Sequence, residues 1–286
     1  PSNSNTVPVK DTAALHDREK QHILEDPSAL PFLQLLGVCG QDGRVFDKKR
    51  SKFRQINRFL ELLSDVYDRL PASGMLTVCD LCCGKSYLTF AVYWYLTRKK
   101  NRSVDMYGVD RKEDVIAYCQ SIAEDLQWNT LHFLAGDITK FLPPSRPNLV
   151  ISLHACDIAT DLVLASAVRQ NADVILSTPC CHHEMFHQIQ SEALSFITKY
   201  SLLNQKLCDA ATDALRALRL EAEGYKVTVA ELIDPEETPK NIMLRAVKRP
   251  GGVFPRKREE LLSQYRSACE LLGVTPSIGK YLEDSF

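Results

Sequence analysis

Two aspartates that follow predicted strands are the residues of this chain best placed to bind a charged ligand. Residues 76–78 form an apolar run that predicts a buried strand ending at Asp80. Residues 82–86 predict a tight turn, after which an apolar helix begins at once. A second apolar run, residues 104–109, ends in Asp110, where a carboxylate can accept hydrogen bonds from two ribose hydroxyls. Strand, turn and helix together predict the first unit of a nucleotide-binding α/β sheet.

Three ligands compete for this unit. A nicotinamide dinucleotide requires a third glycine where Tyr87 stands, because the helix must pack closely and present its N-terminus to the pyrophosphate. The run Gly-Lys-Ser suggests a phosphate-binding P-loop, but Cys79 replaces its first glycine and Asp80 brings a negative charge to the phosphates. S-adenosylmethionine carries no phosphate, and an acid attracts its ammonium group. The charge of Asp80 therefore favours S-adenosylmethionine.

The same segment resembles the cofactor motif of the class I S-adenosylmethionine-dependent methyltransferases, Asp/Glu-x-Gly-x-Gly-x-Gly. Its three glycine positions correspond to Cys82, Gly84 and Ser86, all of them small. A third predicted strand, residues 131–135, is followed by Asp137, where the family places an acid against the adenine amino group. The resemblance implies these cofactor-binding residues: Lys52, Gln55, Asp80, Cys82, Gly84, Asp110, Asp137, Ile138 and His154.

The resemblance also implies the fold, an α/β Rossmann-like sheet of seven strands with helices on both faces and helical extensions at both ends. Four further strands are predicted at residues 148–153, 173–176, 226–232 and 241–247. Helices are predicted at residues 48–69, 184–200, 203–223 and 256–272, the last as an appendage. We divide the chain into an N-terminal arm and helical extension (1–70), the methyltransferase domain (71–250) and a C-terminal helical tail (251–286). Residues 1 to about 30 have little pattern and predict a mobile arm with one short helix.

Two predicted loops bring further reactive side chains to one edge of the sheet. The loop after the fourth strand reads Leu-His-Ala-Cys-Asp-Ile-Ala-Thr-Asp, residues 153–161. The loop after the fifth reads Ser-Thr-Pro-Cys-Cys-His-His-Glu, residues 177–184. Because the carboxyl ends of parallel strands meet at one edge, these loops should converge beside the cofactor. The candidate catalytic residues there are His154, Cys180, Cys181, His183 and Glu184.

The thiols and imidazoles of these loops admit several roles. One is a cysteine nucleophile, since RNA 5-methylcytosine enzymes use cysteines after the corresponding strands. Another is a metal site, whose ligands would be Cys180, Cys181, His183 and His187. We favour a third role, in which the thiols line the pocket and no metal is bound. His183, His154 or Glu184 then orients or deprotonates the acceptor.

Longer phrases of the chain resemble a narrower family. Four segments are similar to a group of bacterial methyltransferase-domain proteins: Leu-His-Ala-Cys-Asp-x-Ala-Thr-Asp, Pro-Cys-Cys-x-His-Glu, Asp-Ala-Leu-Arg-Ala-Leu-Arg-Leu-Glu-Ala-Glu-Gly-Tyr (residues 213–225) and Thr-Pro-Lys-Asn. The group has distant eukaryotic relatives, among them a tRNA 2′-O-methyltransferase with a similar double cysteine and histidine. This resemblance implies an RNA acceptor, tRNA or rRNA. Lys240 and Asn241 are candidates for contact with that substrate, although a turn that opens the last strand explains them equally well.

Charge and composition bear on the partner and the compartment. The formal net charge is −1, yet residues 44–58 and 245–258 are rich in Lys and Arg and could follow a phosphate backbone. If these segments are only solvated surface, the alternative is a small-molecule or protein acceptor, or a non-catalytic cofactor-binding module.

The ten cysteines follow no disulfide-scaffold pattern, which predicts a reducing, cytoplasmic location. No apolar run approaches the length of about 18 residues that a membrane span needs. The oligomeric state stays open.

Overall fold

A seven-stranded sheet forms the centre of the molecule. The computed structural model describes residues 23–153, 155–232 and 241–283. The strands are β1 (Leu76–Leu81), β2 (Val104–Asp110), β3 (Leu131–Ala135), β4 (Leu149–Leu153), β5 (Val174–Thr178), β6 (Tyr225–Glu231) and β7 (Ile242–Lys248). Their order across the sheet is β3-β2-β1-β4-β5-β7-β6. β1 to β5 run parallel, and β7 is antiparallel to both β5 and β6. The predicted fold class is therefore confirmed.

Helices cover both faces of the sheet. They are α1 (Leu30–Leu35), α2 (Arg50–Ser64), α3 (Tyr87–Trp94), α4 (Glu113–Asp125), α5 (Ile158–Arg169), α6 (His183–Gln188), α7 (Ser195–Thr198), α8 (Ser201–Ala222), α9 (Pro255–Leu272) and α10 (Ser277–Glu283). Within the described residues, every helix is too short or too polar to cross a lipid bilayer.

Each face of the sheet has its own hydrophobic core. Helices α1 to α4 contribute to the first core, and α5, α6, α8, α9 and α10 contribute to the second. Alternate residues of the central strands supply the two cores: in β4, Leu149 and Ile151 join the first and Val150 joins the second. This alternation follows from the two-residue period of a strand. It also explains why the central strands are apolar throughout and easy to predict.

The strand order reverses between β1 and β4. From β1 the chain moves outward to β2 and β3, and then returns past β1 to begin β4 on its other side. In open α/β sheets, ligands bind at the carboxyl ends of the strands where such a reversal opens a crevice. The loops that follow β1, β2, β4 and β5 therefore border the expected site.

The segment before the sheet packs more tightly than its sequence predicts. Residues 1–22 lie outside the described residues. From residue 23 onward the chain packs on the first core, where Leu24 is 1% exposed and its amide donates to Asn57 Oδ1 of α2 at 2.9 Å. The prediction of a mobile arm that extends to about residue 30 is therefore wrong for residues 23–30, where Leu24 and Ala29 are buried and Ile23 and Leu30 pack against the core half-buried.

The helix predicted over residues 184–200 is interrupted. α6 ends at Gln188, and the next regular α-helix begins only with α7. The amide of Gln190 donates to the carbonyl of Leu272 at 3.1 Å, and Gln188 Oε1 accepts from the amide of Thr275 at 2.8 Å. Contacts with the distant C-terminal segment thus override the local helical pattern.

The C-terminal segment belongs to the second helical layer and is not an appendage. α9 packs along α8, where Leu261 and Tyr265 are buried. α10, which the sequence analysis does not predict, packs on α5 through Ile278 and Leu282, each 1% exposed. This part of the chain therefore helps to position α5, α6 and α8, which stand behind the loops of the site.

Candidate active site

The turn after β1, residues 82–86, which we call the cofactor turn, contains three residues with positive φ. Cys82, Gly84 and Ser86 have φ angles of 64°, 52° and 58°, a region that suits glycine and strains other residues. The amides of Cys82 and Cys83 both donate to the carbonyl of Val109 in β2, at 2.9 and 3.1 Å. The three positive-φ residues stand at the three glycine positions of the motif. The turn therefore keeps a left-handed backbone at these positions although two of the glycines are absent.

Asp80 is buried near the end of β1 with one carboxylate oxygen unsatisfied. Its Oδ2 accepts from Thr89 Oγ1 at 2.6 Å, whereas Oδ1 is buried and has no hydrogen-bond partner among the described residues. Burial, reinforced by the nearby charge of Asp110, raises the pKa of Asp80 to about 7. An ammonium group would satisfy the orphaned oxygen and stabilise the ionised form. Asp80 therefore fits its predicted contact with the amino group of S-adenosylmethionine.

Asp110, at the end of β2, is joined to the turn after β1. Its Oδ2 accepts from the amide of Gly84 at 2.9 Å, and its Oδ1 accepts from the amide of Lys112 at 3.1 Å. Each carboxylate oxygen has a further lone pair, so two ribose hydroxyls can still be accepted. Asp80, Gly84 and Asp110 thus come together at the expected edge, and their donor and acceptor groups fit the predicted cofactor.

Asp137 and Ile138 follow β3. Asp137 accepts from the amide and the hydroxyl of Thr139 at 2.9 and 2.8 Å, and Arg111 Nη2 lies 3.0 Å from its other oxygen. These hydrogen bonds hold the pKa of Asp137 below its ordinary value. An adenine amino group would have to share a carboxylate that already accepts three hydrogen bonds. Ile138 is buried in the second core at 5% exposure.

Lys49, the residue just before α2, contacts Tyr87, the first residue after the turn that follows β1. Lys52 and Gln55 lie one turn apart on α2, and Lys52 Nζ donates to Gln55 Oε1 at 2.7 Å. Burial lowers the pKa of Lys52. Lys49 Nζ donates to Tyr87 Oη at 2.8 Å and lies 4.8 Å from the centre of the Tyr87 ring. Tyr87 begins α3 directly after the cofactor turn, so the residues around Lys49 lie beside that turn.

Three thiols, which we call the thiol cluster, meet where the loops after β4 and β5 converge. Cys156 Sγ lies 3.7 Å from Cys180 Sγ, which lies 3.6 Å from Cys181 Sγ, and all three sulfurs are within 4.8 Å of one another. Burial raises the pKa of Cys180 far above its ordinary value, and the two neighbouring thiols add to this effect. A nucleophilic cysteine must be a thiolate at neutral pH. The environment of Cys180 therefore disfavours the nucleophile role.

The metal-ligand set considered from the sequence is not formed. Among the described residues, one group of possible metal ligands is close enough to share an ion, and it is the thiol cluster. His183 is exposed at the first position of α6, and the ring of His187 packs edge-on against Phe186 at 5.7 Å. Cys156 joins Cys180 and Cys181 in their place.

The structure describes all ten cysteines and joins none of them in a disulfide.

A buried charged network holds the two loops in place, and the sequence analysis misses it. Arg216 of α8 donates to Asp161 at 2.6 Å, to Asp213 at 3.1 Å and to the carbonyl of Asp157 at 3.0 Å. Asp213 also lies 3.1 Å from His182 Nε2, and the side chains of His182, Asp213, Asp161 and Arg216 are at most 5% exposed. Burial raises the pKa of Asp161 to about 6 against the opposing charge of Arg216. The signal available in the sequence is the Asp213 and Arg216 pair at a spacing of three on an otherwise amphipathic helix.

Glu184 faces the C-terminal segment. Its carboxylate accepts from the amide of Ser277 at 3.1 Å and from Ser277 Oγ at 2.6 Å, and so caps the start of α10. Its own amide donates to the carboxylate of Asp157 at 3.2 Å. These contacts give Glu184 a structural role and do not support the predicted role as a proton acceptor. His183 remains the base candidate among the described residues.

Two predicted site residues, His154 and Lys240, lie outside the described residues. Their neighbour Asn241 is described and is 6% exposed, and its carbonyl accepts from the amide of Leu232 at 2.9 Å. This bond closes the pair formed by β6 and β7. It supports the turn explanation for Asn241 over substrate contact.

Comparison with known protein families decides the class of the domain. Residues 51–188, slightly less than half of the chain, match the family model described as "Methyltransferase domain". The matched segment contains β1 to β5, with both the carboxylates and the thiol cluster. Residues 51–188 are therefore similar to a methyltransferase domain. The match confirms the predicted enzyme class, a methyltransferase, and the orphaned oxygen of Asp80 and the lone pairs of Asp110 fit the predicted cofactor, S-adenosylmethionine.

The methyltransferase domain lies within a chain that is also similar to longer curated proteins. The chain is 22% identical over 218 residues to a glutathione S-transferase C-terminal domain-containing protein of Xenopus laevis, across 68% of this chain and 33% of that protein. It is 21% identical over 236 residues to the human protein of the same name, across 73% of this chain and 35% of that protein. The chain thus spans about a third of the length of these relatives.

Among solved structures, the chain is similar to magnesium protoporphyrin IX methyltransferase from Synechocystis PCC 6803 with bound S-adenosylhomocysteine. The sequence identity is 15% and the TM-score is 0.43, over 77% of this chain and 93% of that chain. Likeness at this level says nothing about the acceptor of the methyltransferase domain described above.

Proposed function

We propose that the protein transfers the methyl group of S-adenosylmethionine to an RNA. When bound, the cofactor supplies an electrophilic methyl group on its sulfonium centre. The observation that carries the RNA assignment is the contact of the basic segment, residues 44–58, with the cofactor turn through Lys49 and Tyr87. A phosphate backbone that follows this segment would pass beside the cofactor.

The cofactor edge would bind and orient the methyl donor. Asp80 offers an orphaned carboxylate oxygen to the ammonium group, and Asp110 offers lone pairs to the ribose hydroxyls. The loops after β4 and β5, held by Arg216 and Asp213 of α8, would form the wall on the acceptor side. Fixing both reactants in a reactive geometry contributes much of the rate in a transfer of this kind.

His183 is our candidate for the group that removes a proton from the acceptor. A hydroxyl acceptor must lose its proton as the methyl group arrives, and histidine is the most common base for this step. His183 is exposed at the start of α6, in the same loop as Cys180 and Cys181. Glu184 is a weaker candidate because Ser277 already donates two hydrogen bonds to its carboxylate.

A small-molecule or protein acceptor is the second candidate, and the other basic segment favours it. Most basic side chains of residues 245–258 pair with acids: Arg245 with Asp65, Arg249 with Glu221, Arg256 and Lys257 with Glu260, and Arg258 with Glu223. Cations that already pair with acids contribute less free energy to binding a phosphate backbone, because the phosphates must compete with the existing pairs. This segment therefore lends no support to an RNA acceptor.

RNA binding by two matched lysine variants tests the proposal. Lys48 is exposed in the basic segment 44–58, whereas Lys257 pairs with Glu260 at 3.2 Å in the other segment. We expect Lys48→Ala to weaken binding of bulk tRNA and to reduce the slope of log affinity against log salt by about 1. Lys257→Ala removes the same charge and should change neither quantity.

Cofactor affinity, measured by calorimetry on both variants, distinguishes loss of RNA contact from damage to the cofactor site. We expect S-adenosylmethionine to bind both variants as it binds the wild type. A wild-type protein without salt-dependent affinity for tRNA or rRNA would overturn the RNA assignment and favour the small-molecule or protein acceptor.

A further inference from the structure

The thiol cluster has the spacing of a metal site and not that of a disulfide. Bonded sulfurs lie about 2.05 Å apart, whereas the sulfurs of Cys156 and Cys180 lie 3.7 Å apart and those of Cys180 and Cys181 lie 3.6 Å apart. Three thiolates that bind one zinc ion at about 2.3 Å in tetrahedral directions stand about 3.8 Å from one another. The cluster is therefore close to the geometry that a shared ion requires.

The backbone that carries the cluster is held by contacts outside it. Asp157, next to Cys156, has φ 51° and ψ −120°, a conformation that residues other than glycine rarely adopt. Its carbonyl accepts from Arg216 at 3.0 Å, and its carboxylate accepts from the amide of Glu184 at 3.2 Å. The bond from Arg216 joins the loop of Cys156 to α8, and the bond from Glu184 joins it to the residues just after Cys181. The sulfurs are thus brought together by a strained, supported backbone, as is common at functional sites.

We propose that Cys156, Cys180 and Cys181 together bind one thiophilic divalent cation, such as Zn²⁺, and leave one coordination position for water or another ligand. Thiolates are soft ligands that favour zinc over Mg²⁺ or Ca²⁺. Three protein ligands and an open position are the arrangement of a reactive zinc site, whereas structural sites usually have four protein ligands. Cys156 is exposed and the other two thiols are half-buried, so an ion can enter from solvent.

This inference goes beyond the proposed function and does not depend on the identity of the methyl acceptor. It replaces the expectation from the sequence that the thiols only line the pocket. It also differs from the metal site considered there, because Cys156 takes the place of His183 and His187. The ion would bind the loops after β4 and β5 to each other at the acceptor side of the sheet edge.

Cobalt and zinc binding to the reduced protein test the proposal. After treatment with a chelator and a reductant, the protein is titrated with Co²⁺, and the charge-transfer absorption of Co²⁺ thiolate bonds is followed. We expect about one ion per chain, displaced by one Zn²⁺, with the thiolate band in the wild type. Zn²⁺ should also raise the Tm of the wild type, because it binds only the folded state.

Matched cysteine variants assign the site. Cys156→Ser changes an exposed side chain and should keep the Tm of the chelated protein, but it should lose most of the cobalt absorption and bind Zn²⁺ at least about tenfold more weakly. Cys269→Ser changes a half-buried cysteine of α9 outside the cluster and should bind as the wild type does. Absence of a near-stoichiometric ion in reduced wild type, or undiminished binding by Cys156→Ser, would overturn the proposal. A disulfide between Cys156 and Cys180 that forms in air, with no metal bound by the reduced protein, would also overturn it.

Discussion

The edge of the sheet has two parts that are stabilised in different ways. At the ends of β1 and β2, Asp80 and Asp110 are held by Thr89 and Gly84, which lie in the same short stretch of chain. On the acceptor side, the loop after β4 is held by Arg216 and the loop after β5 by Asp213 through His182, and both Arg216 and Asp213 lie on α8, far along the chain. The cofactor part is therefore local in sequence, whereas the acceptor part depends on long-range burial of charge. Substitutions in the two parts should have different consequences.

The largest expected effect is on stability and comes from the acceptor part. Arg216→Met should destabilise the protein by about 3–5 kcal/mol, because Asp161 and Asp213 are left buried without their partner. Chemical denaturation measures the change. Arg256→Met is the control, since the Arg256 side chain is 94% exposed and should matter by less than about 0.5 kcal/mol. Equal losses in the two variants would show that the network does not stabilise the fold.

The next effect is on the rate of methyl transfer. His183→Ala should lower the rate with total cellular RNA by about 100-fold or more, because a positioned base is removed, and it should leave cofactor affinity unchanged. Transfer of a radioactive methyl group measures the rate, and calorimetry measures the affinity. His187→Ala is the control on the same short helix. A rate that does not change would remove His183 from the mechanism.

A smaller effect is expected on cofactor binding. Asp110→Ala should weaken binding of S-adenosylmethionine at least roughly tenfold, because charge-assisted hydrogen bonds to the ribose are lost. The fold should survive, as judged by an unchanged unfolding transition. Asp114→Ala, on the exposed first turn of α4, removes a nearby acid and serves as the control. Calorimetry that shows normal affinity in Asp110→Ala would separate this residue from the cofactor.

The smallest effect is a pH dependence that belongs to Asp80. Its raised pKa, about 7 in the ligand-free protein, means that the carboxyl is mostly neutral at pH of about 6 and mostly ionised at about 7.5. Affinity for S-adenosylmethionine should therefore rise over this range, by less than about tenfold, and the rise should vanish in Asp80→Asn. Calorimetry at several pH values tests this, and an affinity that falls with pH would contradict it.

The raised pKa of Asp80 also makes the free energy of unfolding depend on pH. Between pH of about 4 and about 7 the folded protein holds a proton on Asp80 that the unfolded chain has released. The contribution of Asp80 to the free energy of unfolding should therefore fall as pH rises through this window. Denaturation of the wild type and of Asp80→Asn, compared at both ends of the window, isolates this contribution.

The fold could be predicted from the sequence because its central strands are apolar and end in turn residues. β1 to β5 lie within two residues of their predicted bounds. The predicted helices that the structure does not confirm lie where segments distant in the sequence meet. The helix predicted over residues 184–200 is broken by contacts with Leu272 and Thr275, and α10 is too short to show a clear period. Local pattern cannot report such contacts.

The residues of the candidate site also divide into those that local sequence predicts and those that depend on distant contacts. The sequence predicted Asp80 and Asp110 at the cofactor edge because each follows a strand directly, and the structure brings them together through Gly84. The sequence also predicted that the two loops converge, but it could not show which thiols meet. Arg216 was missed because two of its three partners, Asp161 and the carbonyl of Asp157, lie far from it in the sequence. The contacts of His154 and Lys240 remain predictions.

Calorimetric titration of the wild-type protein with S-adenosylmethionine, ATP and NAD tests the central claim most directly. The orphaned oxygen of Asp80 and the lone pairs of Asp110 predict that S-adenosylmethionine binds to one site per chain. The negative charge of Asp80 beside the turn predicts that ATP and NAD bind far more weakly. Tight binding of ATP or NAD, with none of S-adenosylmethionine, would contradict the account.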